Sequence, residues 1–106
     1  MARIQSKELL KDVKRTGYGG SFAPANHKRT FQLLGDCKGE GEAVVDVEVS
    51  NDGDNFLVLG SIDLKLSKDV TSDGFASDAP WIHVRGSVKK LSGKDAKVSL
   101  LVGSGF

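Results

Sequence analysis

Apolar residues recur at every second position through most of this chain, and this alternation limits its possible folds more than any other feature. The clearest case is residues 43–50, where Val45, Val47 and Val49 are separated by charged residues. A period of two is typical of a β-strand that buries one face and exposes the other. Four more segments show the same pattern and are also predicted to be strands: 28–34, 55–66, 80–89 and 96–102.

Short polar segments separate the predicted strands. Residues 51–54 combine Asn, Asp and Gly, which tolerate the backbone angles of tight turns. Gly60 interrupts one strand and predicts a bulge or bend there. We expect the remaining apolar rows to face one core, and they comprise Phe31, Leu33, Phe56, Val58, Ile62, Leu64, Leu66, Ile82, Val84, Val88, Ala96, Val98, Leu100 and Val102.

The connections between strands decide the fold class. No helix-length amphipathic segment lies between them, so a parallel α/β sheet is excluded. Strands with one apolar face, joined by Gly- and Asp-rich turns, favour an antiparallel β-sandwich of the jelly-roll or immunoglobulin/discoidin-like type, or an open barrel, over residues 28–106. Because no run of about 18 apolar residues occurs, and none follows the basic N-terminal residues, neither a membrane span nor a secretory signal is predicted.

Residues 1–27 differ from the rest and are predicted to form an extended N-terminal arm. Ser6 is placed to cap a two-turn helix from Lys7 to Lys14, which would be too short to be stable alone. Glycines and a proline in residues 16–26 argue against regular structure. The arm would hold a partner, or its own domain, through five apolar anchors: Leu9, Leu10, Val13, Tyr18 and Phe22.

Charge is distributed unevenly, although the net charge is only +1. Residues 1–30 carry seven basic and two acidic residues, residues 31–78 carry three and eleven, and residues 79–106 carry five and one. Such segregation allows head-to-tail attraction between copies, and it also fits separate solvated faces. The acidic middle would repel phosphate, so nucleic-acid binding is not expected. We expect a homo-oligomer, because contacts between copies would supplement a modest core.

No residues are arranged for catalysis, and we expect a binding or structural protein rather than an enzyme. His27 and His83 stand apart, and no zinc, dinucleotide or P-loop motif occurs. The Asp-rich turn lacks the ligand spacing of a calcium loop and is interpreted as a hairpin turn, so neither a metal nor a cofactor is predicted. Cys37 is the single cysteine, which leaves a free thiol or a bridge between chains.

Two runs of sequence carry a resemblance to a known group of proteins. Residues 47–60, VEVSNDGDNFLVLG, are followed by residues 73–85, DGFASDAPWIHVR, and by Leu-Ser-Gly before the last predicted strand. In this pattern, within residues 43–102, the chain resembles the small β-sandwich virion proteins of tailed bacteriophages. It differs in having Phe56 where tryptophan is usual and His83 where tyrosine is usual. A similar turn occurs in discoidin-like sugar-binding sandwiches.

The resemblance implies a virion structural protein, assembled in the host cytoplasm, whose partners are the major capsid protein or other virion proteins. A capsid decoration or cement subunit is preferred, because the predicted arm would let a compact domain reach a neighbouring subunit. A tail or baseplate adaptor and a carbohydrate-binding module are the alternatives. Three residues on the outward face of their strand are the candidate surface contacts: Trp81, His83 and Arg85.

Overall fold

The computed structural model describes residues 5–105, and all regular structure in them is β-strand. The strands are β1 (Gln5–Val13), β2 (Gly17–Tyr18), β3 (Lys28–Ser50), β4 (Leu57–Leu66), β5 (Thr71–Ser77) and β6 (His83–Gly105). The all-β class predicted from the alternation is therefore confirmed. Among the described residues there is no helix that could cross a membrane. The first four residues of the predicted arm and the last residue of the predicted domain lie outside the described range.

The strands form one antiparallel sheet centred on its two longest members, β3 and β6. These two pair along almost their whole length, from Lys28 opposite Gly105 to Ser50 opposite His83. The other edge of β6 pairs with β1 along one part of its length and with β2 along another. In the same way, the other edge of β3 pairs with β5 and with β4. The sheet therefore consists of four antiparallel rows, in the order β1–β2, β6, β3 and β4–β5.

All four rows are irregular at the same level, along a line that we call the crease. In the central pair the register shifts on both sides of Lys38, and Gly39 and Gly93 take positive φ angles of 107° and 117°. Gly41 lies so close to the facing strand that a Cβ would come within 2.1 Å of the Ser92 carbonyl oxygen, which leaves room only for glycine. The outer rows are interrupted where β1 gives way to β2 and where β4 gives way to β5.

The crease divides the sheet into two halves. The first half contains β1, β5, and residues 28–36 and 97–105 of the central strands, and the second half contains the remaining strand segments. Gly86 of the second half lies so close to the first half that a Cβ would come within 2.6 Å of Leu100 and 2.9 Å of Leu10. The inner faces of the two halves are therefore in direct contact.

One hydrophobic core lies between these inner faces. Alternate residues of both central strands and of β4 point into it, so most of the predicted rows are confirmed. The buried members are Phe31, Leu33, Val45, Val47, Val49, Ile62, Leu64, Leu66, Val84, Val88, Ala96, Val98, Leu100 and Val102.

Three predicted members of the rows are not buried in this core. Val58 is 49% exposed, Ile82 is 51% exposed and Phe56 is half-buried. In β4 the reason is a register shift next to Gly60, where the glycine predicts a bulge, and this shift turns Val58 to the outer face. Ile82 precedes the first residue of β6, so the strand alternation does not extend to it.

The N-terminal segment is part of the sheet, and the structure does not show the predicted extended arm. The predicted helix from Lys7 to Lys14 is wrong, because residues 5–13 form β1 and pair with β6. A register shift between Glu8 and Leu10 lets both Leu9 and Leu10 be buried. A bulged strand thus imitates the apolar spacing of a short helix.

The predicted sandwich of jelly-roll or immunoglobulin/discoidin-like type is not confirmed, since β3 and β6 each run through both halves of one continuous sheet. An antiparallel sheet with a common core is the part of that prediction which holds. Cys37 contributes to this core as a buried free thiol.

Candidate partner-binding surface

Side chains from several rows of the second half meet on its outer face. Tyr18 extends from β2, Arg85 from β6, and Phe56 from the residue just before β4. The Arg85 guanidinium carbon lies 4.1 Å from the centroid of the Tyr18 ring and 4.0 Å from that of the Phe56 ring. Both rings attract the cation through their negative faces. We call Tyr18, Arg85 and Phe56 the aromatic–arginine stack.

Glu48 of β3 fixes the position of the arginine in this stack. Arg85 Nε donates to Glu48 Oε1 at 2.7 Å, and the two side chains are only 20% and 11% exposed. Lys89 Nζ lies 3.6 Å from the second Glu48 oxygen, so the carboxylate faces two cations. A pair with so little exposure is screened less than a surface pair, and loss of one partner leaves the other charge uncompensated.

One exposed apolar side chain lies next to the stack on the same face. Tyr18 itself is 68% exposed, and Val58, two residues after the stacked phenylalanine, is 49% exposed. Val58 lies directly opposite Glu48 in the β3–β4 ladder. Tyrosine and arginine dominate the energetics of many protein interfaces, particularly where apolar groups surround them and exclude water. The outer face of the second half therefore has the composition of a protein-binding surface.

A turn at residues 51–55 follows β3 at the same end of the sheet, and its hydrogen bonds centre on Asp52. The Asp52 carboxylate accepts from the Asn55 side chain and the Asn55 N–H at 2.8 Å each, from the Asp54 N–H at 2.9 Å and from the Ser50 hydroxyl at 2.7 Å. These donors, the Asn55 side chain first, hold the pKa of Asp52 well below its usual range. Both carboxylate oxygens are engaged within the turn, as expected of a structural hairpin turn.

The three predicted surface contacts have different environments in the structure. Arg85 belongs to the stack. His83 packs on the turn, with its Nε2 3.3 Å from the position that a Cβ on Gly53 would take. Trp81 is half-buried and packs against the hydrophobic core, so it does not form a free aromatic platform.

Of the five predicted arm anchors, Tyr18 alone belongs to the aromatic–arginine stack. The other four hold the N-terminal segment on its own sheet: Leu9 and Leu10 are buried, and Val13 and Phe22 pack half-buried against the core. Contact of these four residues with a partner stays a prediction.

Sequence reasoning does not single out Glu48 or Phe56 as site residues. Phe56 had an available signal, because it stands at the tryptophan position of the resemblance. For Glu48 the sequence gives no signal beyond its outward position in a strand. Its partner Arg85 is 37 residues away, and their pairing depends on the β3–β6 register. In the described part of the chain, no three side chains of the metal-binding types are grouped to hold an ion.

The fold and this surface define a small antiparallel all-β protein with a preformed aromatic–arginine cluster. The fold is similar to that of the SPBc2 prophage-derived protein YomS, with a TM-score of 0.66 at 10% sequence identity over 100% of this chain and 96% of that one. The structure of infectious bursal disease virus Gx strain gives a TM-score of 0.48 at 15% identity, over 97% of this chain and 32% of that chain. No protein-family model and no curated protein matches the sequence. The chain thus shares its fold, along its whole length, with a prophage-derived protein.

Proposed function

We propose that this protein is a phage virion structural protein, a capsid decoration or cement subunit that binds the major capsid protein lattice. It would be assembled onto the particle in the host cytoplasm. The contact surface would be the aromatic–arginine stack with its exposed neighbour Val58.

The observation that carries the binding role is the way Tyr18 is presented. The residue is 68% exposed, yet one face of its ring lies on an arginine that Glu48 holds in place. A side chain that is already ordered loses little conformational freedom when a partner covers it, which leaves more of the contact energy for affinity. Tyrosine on a fixed arginine is therefore a suitable anchor for a binding surface.

The virion setting is supported by two independent similarities. The fold matches that of a prophage-derived protein along the full length of the chain, and residues 43–102 resemble small virion proteins of tailed bacteriophages in sequence. The molecule measures 42 × 31 × 17 Å, and its smallest dimension suits two layers of strands about 10 Å apart. We therefore infer that the two halves of the folded sheet act as the two layers of a β-sandwich.

Binding to particles tests the proposal directly. Capsids produced without this protein are incubated with the purified chain and sedimented, and the bound amount is measured at increasing protein concentrations. We expect saturable binding at dozens to hundreds of copies per particle, as a shell protein requires. We expect Tyr18→Ala to weaken this binding by about 10-fold or more, the loss typical of an interface anchor.

Gln32→Ala is the matched control, because Gln32 is exposed on the outer face of the other half of the sheet. It should bind as the wild type does. Binding that is unchanged in Tyr18→Ala, or absent in the wild type, would contradict the proposal. Saturation at a dozen copies or fewer would identify the alternative, a tail or baseplate adaptor.

A further inference from the structure

The folded sheet has two open edges. One consists of β1 and β2 with their connection, residues 5–18, and we call it the N-edge. The other consists of β4 and β5 with the turns on either side, residues 51–78, and we call it the acidic edge. Within the described residues, the strands of each edge pair on one side only. Unpaired backbone groups of an edge strand are a ready template for pairing with another chain.

The two edges carry opposite charges. The N-edge has four basic and two acidic residues: Lys7, Lys11, Lys14 and Arg15, with Glu8 and Asp12. The acidic edge has six acidic and two basic residues: Asp52, Asp54, Asp63, Asp69, Asp73 and Asp78, with Lys65 and Lys68. All of these side chains belong to exposed residues. The ion pairs found in the described part of the chain involve neither edge.

Strand direction allows the N-edge of one copy to continue the sheet of another. Successive rows are antiparallel and there are four of them, so β1 and β5 of one molecule run in opposite directions. A second copy placed side by side in the same orientation therefore brings its β1 antiparallel to the β5 of the first. The resulting contact extends the sheet with the strand alternation intact.

Basic residues of the N-edge and acidic residues of the acidic edge lie at matching positions along the strand direction. Through the ladder registers, Leu10, Leu100, Leu33 and Asp73 lie in one transverse row, so Lys11 and Asp73 lie at nearly the same height on opposite edges. Lys14 and Arg15 on one edge and Asp69 on the other all lie at the crease. In a side-by-side pair, basic groups of one copy would therefore lie at the same two heights as acidic groups of the next.

We propose that the protein self-associates head to tail, the N-edge of one copy pairing with the acidic edge of a second copy. This inference rests on the proposed function, because self-association would connect neighbouring copies on the surface of the capsid. Register shifts after Glu8 confine regular backbone pairing on β1 to a short stretch, so the charges select the partner edge. A head-to-tail contact of this kind closes into a ring or continues as a chain, according to the rotation between copies.

Two charge-reversed variants and their mixture test this contact. The first variant, Lys11→Glu with Lys14→Glu and Arg15→Glu, makes both edges acidic. The second, Asp69→Lys with Asp73→Lys and Asp78→Lys, makes both edges basic. Light scattering coupled to size-exclusion chromatography should show an oligomer for the wild type and a dissociation constant at least about 10-fold higher for each variant alone. An equimolar mixture of the two should associate again, because each variant then finds an edge of opposite charge.

A third variant controls for net charge. Lys28→Glu with Lys94→Glu and Lys97→Glu changes the charge as much as the first variant does, but on the central strands rather than on an edge. It should associate as the wild type does, and circular dichroism should show that all variants are folded. A wild type that stays monomeric, or reversed variants that associate as well as it does, would overturn the inference. A monomer that still binds particles would leave the proposed function intact, so the two failures are distinguishable.

Discussion

Arg85 and Glu48 lie directly opposite each other in the β6–β3 ladder, and the Arg85 Nε donates to Glu48 Oε1 at 2.7 Å across it. The same guanidinium also contacts Tyr18 from the row beyond β6 and Phe56 from the row beyond β3. One side chain thus joins all four rows of the second half on its outer face.

Replacing the arginine should weaken this half of the sheet. Arg85→Ala removes a charge-assisted hydrogen bond and two cation–π contacts, and it leaves a weakly exposed Glu48 with Lys89 alone. We expect a loss of about 2 kcal/mol in the free energy of unfolding, measured by urea denaturation. Adding Glu48→Gln to Arg85→Ala should recover part of the loss, because the uncompensated carboxylate is then gone.

Lys90→Ala is the control for this prediction. Lys90 pairs with Glu42, and this contact raises the pKa of Lys90 and lowers that of Glu42, but both residues are far more exposed than Arg85 and Glu48. Solvent screening should make the Lys90→Ala loss clearly smaller. Equal losses for the two variants would show that burial of the Arg85 pair has no energetic consequence.

The contact between the two halves at Gly86 should not tolerate a methyl group. A Cβ there would meet Leu100 and Leu10 at less than 3 Å, so Gly86→Ala forces core side chains apart. We expect a destabilisation of about 1–3 kcal/mol by thermal or urea unfolding. Gly20→Ala is the matched control, because no atom lies within 4 Å of a Cβ at Gly20. A neutral Gly86→Ala variant would show that the halves separate easily.

β1 should be required for the stability of the sheet. Leu10 is 4% exposed and packs in the common core, so Leu10→Ala should cost about 2–5 kcal/mol in the free energy of unfolding. Val70→Ala, at a residue 65% exposed, should change the stability little. A Leu10→Ala protein as stable as the wild type would restore the hypothesis that the N-terminal segment is a dispensable arm.

The turn after β3 should lose stability in acid. The pKa of Asp52 is below its ordinary value near 3.8 because the folded turn donates hydrogen bonds to the carboxylate, first from the Asn55 side chain. The ionised Asp52 carboxylate therefore makes its full contribution to the stability of the folded state at a pH above that ordinary value. This contribution is lost as the pH falls toward the lower pKa of the folded state. An NMR titration should find the Asp52 carboxylate still ionised at about pH 3, where a free aspartate is mostly protonated.

Asn55→Ala should raise the pKa of Asp52 toward its ordinary value, because it removes the largest stabilising contact. Asn51→Ala is the matched control, because it makes the same substitution in the same turn. The Asn51 side chain accepts a hydrogen bond from the Ile82 N–H and is not among the donors to the Asp52 carboxylate. Asn51→Ala should leave the Asp52 titration where it was. The hydrogen-bond explanation fails if Asp52 titrates identically in the Asn55→Ala variant and the wild type.

Alternation in the sequence was enough to predict the class of fold and most of the core. It failed where a glycine or a bulge changes the period without ending the strand. Residues 36–39, around Cys37, are interpreted from the sequence as a loop, yet β3 continues through them across the crease. Thr71–Ser77 lacks a strong apolar row and was not predicted as a strand, but the exposed edge of β3 gives it a partner.

The site was harder to predict because it depends on register. Trp81 and His83 attract attention as large side chains near Arg85, but the residues that contact the guanidinium come from distant parts of the chain. Tyr18 is 67 positions before Arg85 in the sequence, and only the pairing of β2 with β6 brings it there. A single sequence gives the outward direction of a side chain, whereas its neighbours depend on which strands pair and in which register.

The order of pairing has a consequence for how the polypeptide reaches this structure. Gln5 pairs with Ser104, and residues 28–36 also pair with the last part of β6. During synthesis on the ribosome, β1 therefore has no β6 segment to pair with until residues 98–104 have emerged. Contacts so distant in sequence make folding slow, in the range of milliseconds to seconds typical of such topologies.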